Sequence, residues 1–225
     1  MTLTRQSWDQ VRELNRKEGF WLGPINAQSL VQDPKHLAFV LSRYKFAARM
    51  LRRCASVVEP GCGEGLGALM FLAETPARFT ALDFDEAQVA YVRAHVLPRV
   101  QDPGRLRVET ADLVTQDPPG GPYDGLVCID VIEHVHGVDQ EDFLAHASGA
   151  LVPGALAVWG TPSLHAGAYA SERSRVGHIN LFDPDRFNTT LERHFRHVLP
   201  FSMNDELVHT GFANMAHYLL AVCVK

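Results

Sequence analysis

Closely spaced glycines give the first sign of chemistry in this chain. They lie in VVEPGCGEGLGA, where Glu59 closes an apolar run and glycine follows at positions 61, 63, 65 and 67. A glycine turn between a strand and a helix brings bare backbone amides and the positive end of the helix to one spot. The stretch therefore predicts a loop that binds an anionic or polar ligand.

Three kinds of ligand loop fit parts of this stretch. A P-loop is excluded because it requires Lys followed by Ser or Thr after its last glycine, and Gly65 is followed by leucine and glycine. A nicotinamide-dinucleotide turn, G-x-G-x-x-A, begins at Gly63, with Asp83 as the acid that would bind a ribose. The third kind, acidic-x-G-x-G-x-G, includes Glu59 and the first three glycines.

A second group of reactive side chains follows later in the chain. Asp130, Glu133 and His134 stand at the end of the apolar run GLVCIDVI and just after it, and another imidazole, His178, follows in RVGHINLF. Two carboxylates and two imidazoles at strand ends would form an open octahedral site for Mg²⁺ or Mn²⁺. Without a metal, a histidine must accept the proton that the reacting group of the substrate loses. The candidate catalytic bases are His134, His178 and His209. The alternative that Glu133 and His134 only orient a ligand and a loop stays open.

The elements that must position these residues alternate between strands and helices. The apolar segments SVVEP, FTALDF, LRVETADL, GLVCIDVI and GALAVWGTP predict strands, and GALMFLAE, DEAQVAYVRAHV and EDFLAHASGAL predict helices between them. Short strands separated by helices predict a mostly parallel sheet with helices on both faces. FRHVLPFSMN and NMAHYLLAVCVK predict an antiparallel hairpin at the C-terminal end.

Two further helices are predicted before the glycine loop, at residues 4–18 and 34–53. Asp33 would cap the second helix, with Pro34 in its first turn. The segment between them, GFWLGPINAQSL, is too apolar for a simple linker, and we expect it to pack against the body. The chain is therefore divided into a helical N-terminal extension, residues 1–53, and one α/β domain, residues 54–225.

Composition narrows the class of protein. The chain has 225 residues, of which 46% are hydrophobic, and 21 basic against 26 acidic residues give a net charge of −5. This charge disfavours a nucleic-acid substrate. No apolar stretch is long enough for a membrane span or a signal peptide, so we expect a cytoplasmic protein with no membrane partner. The four cysteines are scattered and predict reduced core thiols.

The whole pattern over residues 50–165 resembles the class I S-adenosylmethionine-dependent methyltransferases, which have a Rossmann-like sheet. The resemblance implies that the cofactor lies on the backbone of Gly61, Gly63 and Gly65 beside Glu59. It also implies that the acid in LDFD holds both ribose hydroxyls, that the acid in ETADL reads the adenine amino group, and that the end of GLVCIDVI lies beneath the methionine. The further cofactor-binding residues implied in this way are Asp83 with the adjacent Phe84, Asp112 with the adjacent Leu113, and Asp130.

The stretch from Asp130 to His134, with the later His178, is similar to a motif of metal-dependent O-methyltransferases. These are enzymes that act on small-RNA 3′ ends, whose pattern is E-x-x-E-H plus a later histidine. A similar acidic-x-x-E-H stretch occurs in O-methyltransferases of ubiquinone biosynthesis. The resemblance implies Asp130, Glu133, His134 and His178 as metal ligands. Here the first acid is aspartate, shorter by one methylene, which puts that ligand in doubt.

These features together predict methyl transfer from S-adenosylmethionine to an oxygen of a small, polar, hydroxylated acceptor, such as a sugar or glycan precursor. The expected acceptor follows from the polar residues in TPSLHAGAYASERSRVGH and FSMNDELVHTGF, which this fold places at the carboxyl ends of the strands. The alternatives are a non-catalytic module that senses S-adenosylmethionine, an RNA 2′-O-methyltransferase and an NAD-dependent oxidoreductase. The sequence is compatible with a homodimer but does not define the oligomeric state.

Overall fold

The computed structural model describes residues 2–14, 19 and 22–225. Eight strands form one sheet, with helices around it. The strands are β1 Ser56–Pro60, β2 Arg78–Asp83, β3 Leu106–Thr110, β4 Tyr123–Ile129, β5 Leu151–Pro162, β6 His197–Asn204, β7 Leu207–His209 and β8 Tyr218–Val224. The helices are α1 Leu3–Leu14, α2 Pro24–Gln32, α3 Pro34–Met50, α4 Leu66–Glu74, α5 Glu86–Tyr91, α6 Gln140–Gly149, α7 Glu172–Gly177 and α8 Pro184–Glu192.

The sheet is mostly parallel, as predicted. Its strand order is β3-β2-β1-β4-β5-β8-β6-β7, and the first five of these are parallel to their neighbours. β8 lies antiparallel to both β5 and β6, which confirms the predicted C-terminal pairing. The chain order reverses between β1 and β4, so their carboxyl ends flank the crevice where α/β sheets of this type bind ligands.

Both faces of the sheet are buried against helices. On one face, α3 contributes Tyr44, Ala47 and Ala48 to a core that also contains Phe71 and Phe79. α3 is therefore packed into the body of the α/β domain, although it lies within the predicted N-terminal extension.

On the opposite face, the fully buried Trp159 packs edge-on against Phe143 of α6 and against Phe195. These aromatic contacts hold β5 under α6 and under the segment that follows α8. The strands that end at the candidate site are thus fixed from both sides.

The N-terminal part differs from the expectation in three respects. The first predicted helix is confirmed as α1, but residues 15–18 of the prediction lie outside the described residues, as do Phe20 and Trp21. The apolar connecting segment contains a third helix, α2, which begins at Pro24. The Asp33 side chain does not cap α3, because it pairs with Lys35 instead.

The four cysteines are free and buried, which confirms the predicted reduced core thiols. Burial raises the pKa of Cys54 to about 11, so this thiol is neutral at physiological pH. None of the helices in the described part of the chain combines the length and apolar character needed to cross a bilayer.

Candidate functional site

The glycine loop follows β1, and its three predicted glycines have different structural roles. Gly61, Gly63 and Gly65 all have positive φ, at 71°, 50° and 82°. A Cβ on Gly61 would lie 2.5 Å from Val131, and one on Gly65 would lie 3.2 Å from Val92, so these two allow close packing. A Cβ on Gly63 would meet nothing within 4 Å. Gly63 therefore presents bare backbone to open space.

Glu59, at the end of β1, is only 1% exposed and is poorly satisfied. Among the described residues no donor satisfies either of its oxygens, and only the Tyr44 hydroxyl lies near enough to favour the ionised form. Burial raises the pKa of Glu59 to about 8. A buried carboxyl group without donors is suited to accept hydrogen bonds from a cationic or polar ligand group beside the loop.

Asp83, at the end of β2, holds the glycine loop in place. Its carboxylate accepts the Gly63 N–H at 2.9 Å through Oδ2 and the Asp85 N–H at 3.0 Å through Oδ1. Each carboxylate oxygen retains capacity for a second donor. The next side chain, Phe84, is 75% exposed at the same edge, and Asp85, not Asp83, caps α5 by accepting the Ala87 N–H.

The predicted adenine-binding pair after β3 is divided between surface and core. Asp112 is exposed, and its carboxylate accepts the Val114 N–H at 2.9 Å. The side chain of Leu113 is buried in the core, and the Leu113 carbonyl contacts His146 Nδ1 at 2.9 Å. The structure therefore leaves Asp112 facing outward, whereas the Leu113 side chain is not available to a ligand.

Asp130 lies just beyond β4 with a φ of 57°, a conformation rare for residues other than glycine. Nη1 of Arg43, which is almost fully buried, donates to both Asp130 oxygens at 3.0 and 2.8 Å. The Arg43 guanidinium also lies 3.7 Å from the centre of the Tyr218 ring. This pairing neutralises the charge of Asp130, which is not one of the three residues in the ligand cluster described next.

Three of the four predicted metal ligands come together. Glu133, His134 and His178 each offer a ligand atom within 4.8 Å of the others, and no other such group occurs among the residues that the structure describes. His134 Nδ1 donates to the Gly177 carbonyl at 2.8 Å, which leaves Nε2 free to bind. Burial, followed by the charge of Asp130, raises the pKa of Glu133, whose Oε2 accepts from Thr161 and whose Oε1 is without a donor.

His178 is held beside His134 by the loop that precedes α8. The Asn180 N–H donates to the Glu133 carbonyl at 3.0 Å, and Asn180 Nδ2 donates to Gln140 at 3.0 Å. Burial, and next the neighbouring His134, lower the pKa of His178. A neutral imidazole is the form that binds a metal or accepts a proton.

His209 lies apart from these residues. Residues 197–209 form a hairpin of β6 and β7, and both ring nitrogens of His209 are in contact within it, with the Gly211 N–H at 3.0 Å and Asn204 Nδ2 at 3.2 Å. Both contacts come from N–H donors, and a neutral imidazole accepts at only one of its nitrogens, so the role of His209 as a base stays a prediction; the residue lies outside the Glu133, His134 and His178 cluster.

Two histidines that the sequence did not single out border the site. His36 and His217 interact electrostatically with each other and with Arg43, and burial is the main cause that lowers the pKa of each. Phe39, one turn after His36 on α3, lies 5.4 Å from the His217 ring. Only the i, i+3, i+7 spacing of His36, Phe39 and Arg43 could have indicated that one face of α3 borders the site.

The two segments predicted to line the acceptor opening are mixed in character. They carry the predicted polar residues, but they also expose apolar ones. These are Leu164, Tyr169 and Val176 after β5, and Leu207 and Phe212 in the later segment. The opening is therefore less uniformly polar than the sequence pattern implied.

Residues 57–154 match the profile of a family described as "Methyltransferase domain". A probable S-adenosylmethionine-dependent methyltransferase of Mycolicibacterium smegmatis is 38% identical over 117 residues, 51% of this chain and 42% of the relative. A similar protein of Mycobacterium tuberculosis is 30% identical over 170 residues, 75% of this chain and 53% of the relative. The chain thus spans about half the length of these relatives. These matches favour the third interpretation of the glycine loop over the nicotinamide one.

Solved structures show the same fold. The methyltransferase domain of bacterial CtHen1 superposes with a TM-score of 0.66 at 17% identity, covering 83% of this chain and 100% of that domain. The plantazolicin methyltransferase BpumL, in complex with SAH (S-adenosylhomocysteine), superposes with a TM-score of 0.64 at 12% identity, covering 89% of this chain and 88% of BpumL. At these identities the likeness concerns the fold.

The raised pKa of Glu59 predicts a stability difference for Glu59→Gln. The folded protein holds this proton more tightly than the unfolded chain, so the carboxyl group's contribution to stability is full below the unfolded pKa. It is lost progressively as the pH rises from there towards about 8. Glutamine does not titrate, so the free energy of unfolding at pH 7.5 should be higher in the variant by on the order of 1 kcal/mol or more.

Urea unfolding at pH 5.0 and pH 7.5 measures this difference, which should shrink at the lower pH. The exposed Glu192 on α8 supplies the matched control, because Glu192→Gln should change little at either pH. A Glu59→Gln variant that is less stable than the wild type at pH 7.5 would contradict the assigned pKa.

Proposed function

We propose that this chain, which belongs to the class I S-adenosylmethionine-dependent methyltransferases, transfers a methyl group from S-adenosylmethionine to an oxygen of a small polar acceptor. The observation that carries the proposal is the position of two unlike groups at one edge of the sheet. The open backbone of Gly63 follows β1, and the Glu133, His134 and His178 cluster follows the adjacent β4. A cofactor and an acceptor bound at these two places would be neighbours.

The cofactor side fits S-adenosylmethionine. When bound, S-adenosylmethionine supplies an electrophilic methyl group on its sulfonium. Gly63 offers room for the cofactor against bare backbone, and Asp83 retains acceptor capacity for the two ribose hydroxyls. The buried oxygens of Glu59 lack donors, which a ligand ammonium group or an ordered water could provide.

The acceptor side fits a divalent metal, and we include metal assistance in the proposal. In the described contacts Glu133 Oε1 and His134 Nε2 have no partner that competes for them, and burial lowers the pKa of His178, which favours its neutral form. Mg²⁺ or Mn²⁺ bound by these side chains would lower the pKa of an acceptor hydroxyl. Loss of the acceptor proton must accompany methyl transfer, and His178 or His134 can take it if no metal is bound. The mixed lining suits a sugar, which has both hydroxyl groups and apolar C–H faces.

Methyl transfer predicts that the purified chain releases S-adenosylhomocysteine from S-adenosylmethionine in the presence of hydroxylated acceptors. A panel of monosaccharides and their methyl glycosides is the first set to assay, by mass spectrometry of both products. Asp83→Ala should weaken S-adenosylhomocysteine binding, measured by calorimetry, by about 1.5 to 3 kcal/mol, because it removes charge-assisted hydrogen bonds to the ribose.

The non-catalytic sensor is distinguished in the same assay. Tight binding of S-adenosylhomocysteine with no methylated product from any acceptor would favour the sensor. Unchanged affinity in Asp83→Ala would contradict the proposed position of the ribose.

Metal assistance predicts that a chelator abolishes turnover on protein stripped of metal, while S-adenosylhomocysteine binding remains nearly intact. The metal would hold the acceptor and not the nucleoside, so the two measurements should separate. Added Mg²⁺ or Mn²⁺ should restore the rate. His178→Ala should raise the metal concentration needed by about 10- to 100-fold, because one ligand of the cluster is lost.

His209→Ala is the matched control for this experiment, since His209 lies in the β6–β7 hairpin, outside the cluster. It should leave the metal requirement unchanged. Full activity in excess chelator would exclude metal assistance and leave His178 and His134 as the candidate bases.

A further inference from the structure

Glu64, between Gly63 and Gly65 of the cofactor loop, contacts the N-terminal segment of the chain. Its carboxylate accepts the Ile25 N–H at 2.7 Å through Oε1 and the Asn26 N–H at 2.8 Å through Oε2. Only 6% of Glu64 is exposed. These two N–H groups belong to the first turn of α2, so a residue nearly forty positions away in sequence caps this helix.

The local sequence of α2 makes this cap necessary. The helix has no acidic residue in its own first turn, and its N-cap residue, Gly23, has no side chain to accept a hydrogen bond. Gly23 also allows the close approach, because a Cβ at that position would lie within 2.7 Å of both Glu64 oxygens, and its φ of 80° disfavours any other residue. The charge of Glu64 is placed where it stabilises the positive end of the helix.

Hydrophobic burial does not hold α2 in place. None of its residues is buried, and Leu30 and Val31 are exposed. An element with so little buried surface belongs to the least stable parts of a fold. Docking of α2 therefore depends strongly on the Glu64 contact, in addition to its connection to α3.

The opposite side of the same loop faces the proposed cofactor. Gly63, the residue before Glu64, donates its N–H to Asp83 and leaves open space on its free side. A ligand that binds Gly63 and Asp83 fixes the backbone conformation that also directs Glu64 towards α2. Two events that require the same loop conformation are thermodynamically coupled, and the coupling is reciprocal.

We infer that Glu64 is a positioning residue for the cofactor: by capping α2 it couples docking of residues 22–32 to the cofactor-binding conformation of the glycine loop. The inference rests on the proposed function, because it takes S-adenosylmethionine as the ligand of this loop. Residues 22–32 then affect cofactor binding through the glycine loop, although none of their described contacts is with a residue proposed to touch the cofactor other than through Glu64.

Calorimetry with S-adenosylhomocysteine on the full chain tests this coupling. Glu64→Ala should weaken binding by about tenfold, since the loop loses the contact that stabilises its conformation. Glu64→Gln, which keeps one acceptor oxygen, should have a smaller effect. Glu192→Ala, on α8, is the matched control and should bind as the wild type does.

Hydrogen exchange separates coupling from a merely structural role. In the wild type, S-adenosylhomocysteine should slow amide exchange in residues 22–32 as well as in the glycine loop. In Glu64→Ala at saturating ligand, the loop should still be protected, whereas residues 22–32 should not respond. A structural cap alone would alter exchange in the variant but would not make α2 of the wild type respond to the ligand.

Three results would overturn the inference. Unchanged affinity in Glu64→Ala, or wild-type exchange in residues 22–32 that S-adenosylhomocysteine does not alter, would remove the coupling and leave the proposed function standing. The hydrogen-exchange result tests the inference even if the Glu64→Ala variant does not fold, because that measurement needs only the wild type. Failure of the wild type to bind S-adenosylhomocysteine would overturn the proposed function together with the coupling.

Discussion

The left-handed backbone of the loop between β1 and α4 is the constraint on which the rest of the candidate site depends. It lets Gly61 approach Val131, just beyond β4, so that the loop packs against the segment that leads to Glu133. It also turns the Gly63 N–H towards Asp83 and the Glu64 carboxylate towards α2. A side chain at Gly61 would separate the two halves of the site, because Val131 occupies the space it would need.

The second feature of the site is its concentration of buried carboxyl groups. Glu59 and Glu133 are buried with oxygens that lack donors, whereas Asp130 is neutralised by Arg43. A carboxyl group buried without partners destabilises a folded protein, and such groups with raised pKa values cluster at functional sites. Under the proposed function, a cofactor would complete the site beside Glu59, and a metal or acceptor would complete it beside Glu133.

The sequence was sufficient to predict the features that depend on local pattern. The alternation of apolar strands and helices predicted the sheet, and the glycine spacing predicted the loop after β1. Asp83 was predicted to bind the ribose, and its hydrogen bond to the Gly63 N–H was not predicted. The E-H pair after β4 and the later His178 predicted a cluster that the fold does bring together. Each of these signals lies within a few residues or recurs in a known motif.

The remaining features depend on contacts between segments far apart in the chain. Arg43 pairs with Asp130 across 87 positions, and Glu64 caps α2 across nearly forty, so no local pattern could predict either partner. Asp130 was therefore expected to be a metal ligand, although a buried arginine neutralises it. Leu113 lies in the turn after β3 and buries its side chain in the core, so this side chain cannot reach a ligand.

A crystal structure of the chain with S-adenosylhomocysteine tests the central claim most directly. We expect the ligand to lie against the Gly63 backbone, with both ribose hydroxyls on Asp83 and its amino group on the Glu59 side of the loop. The sulfur should point towards the crevice shared with Glu133, His134 and His178. A ligand bound elsewhere, or one whose ribose does not contact Asp83, would contradict this account of the site.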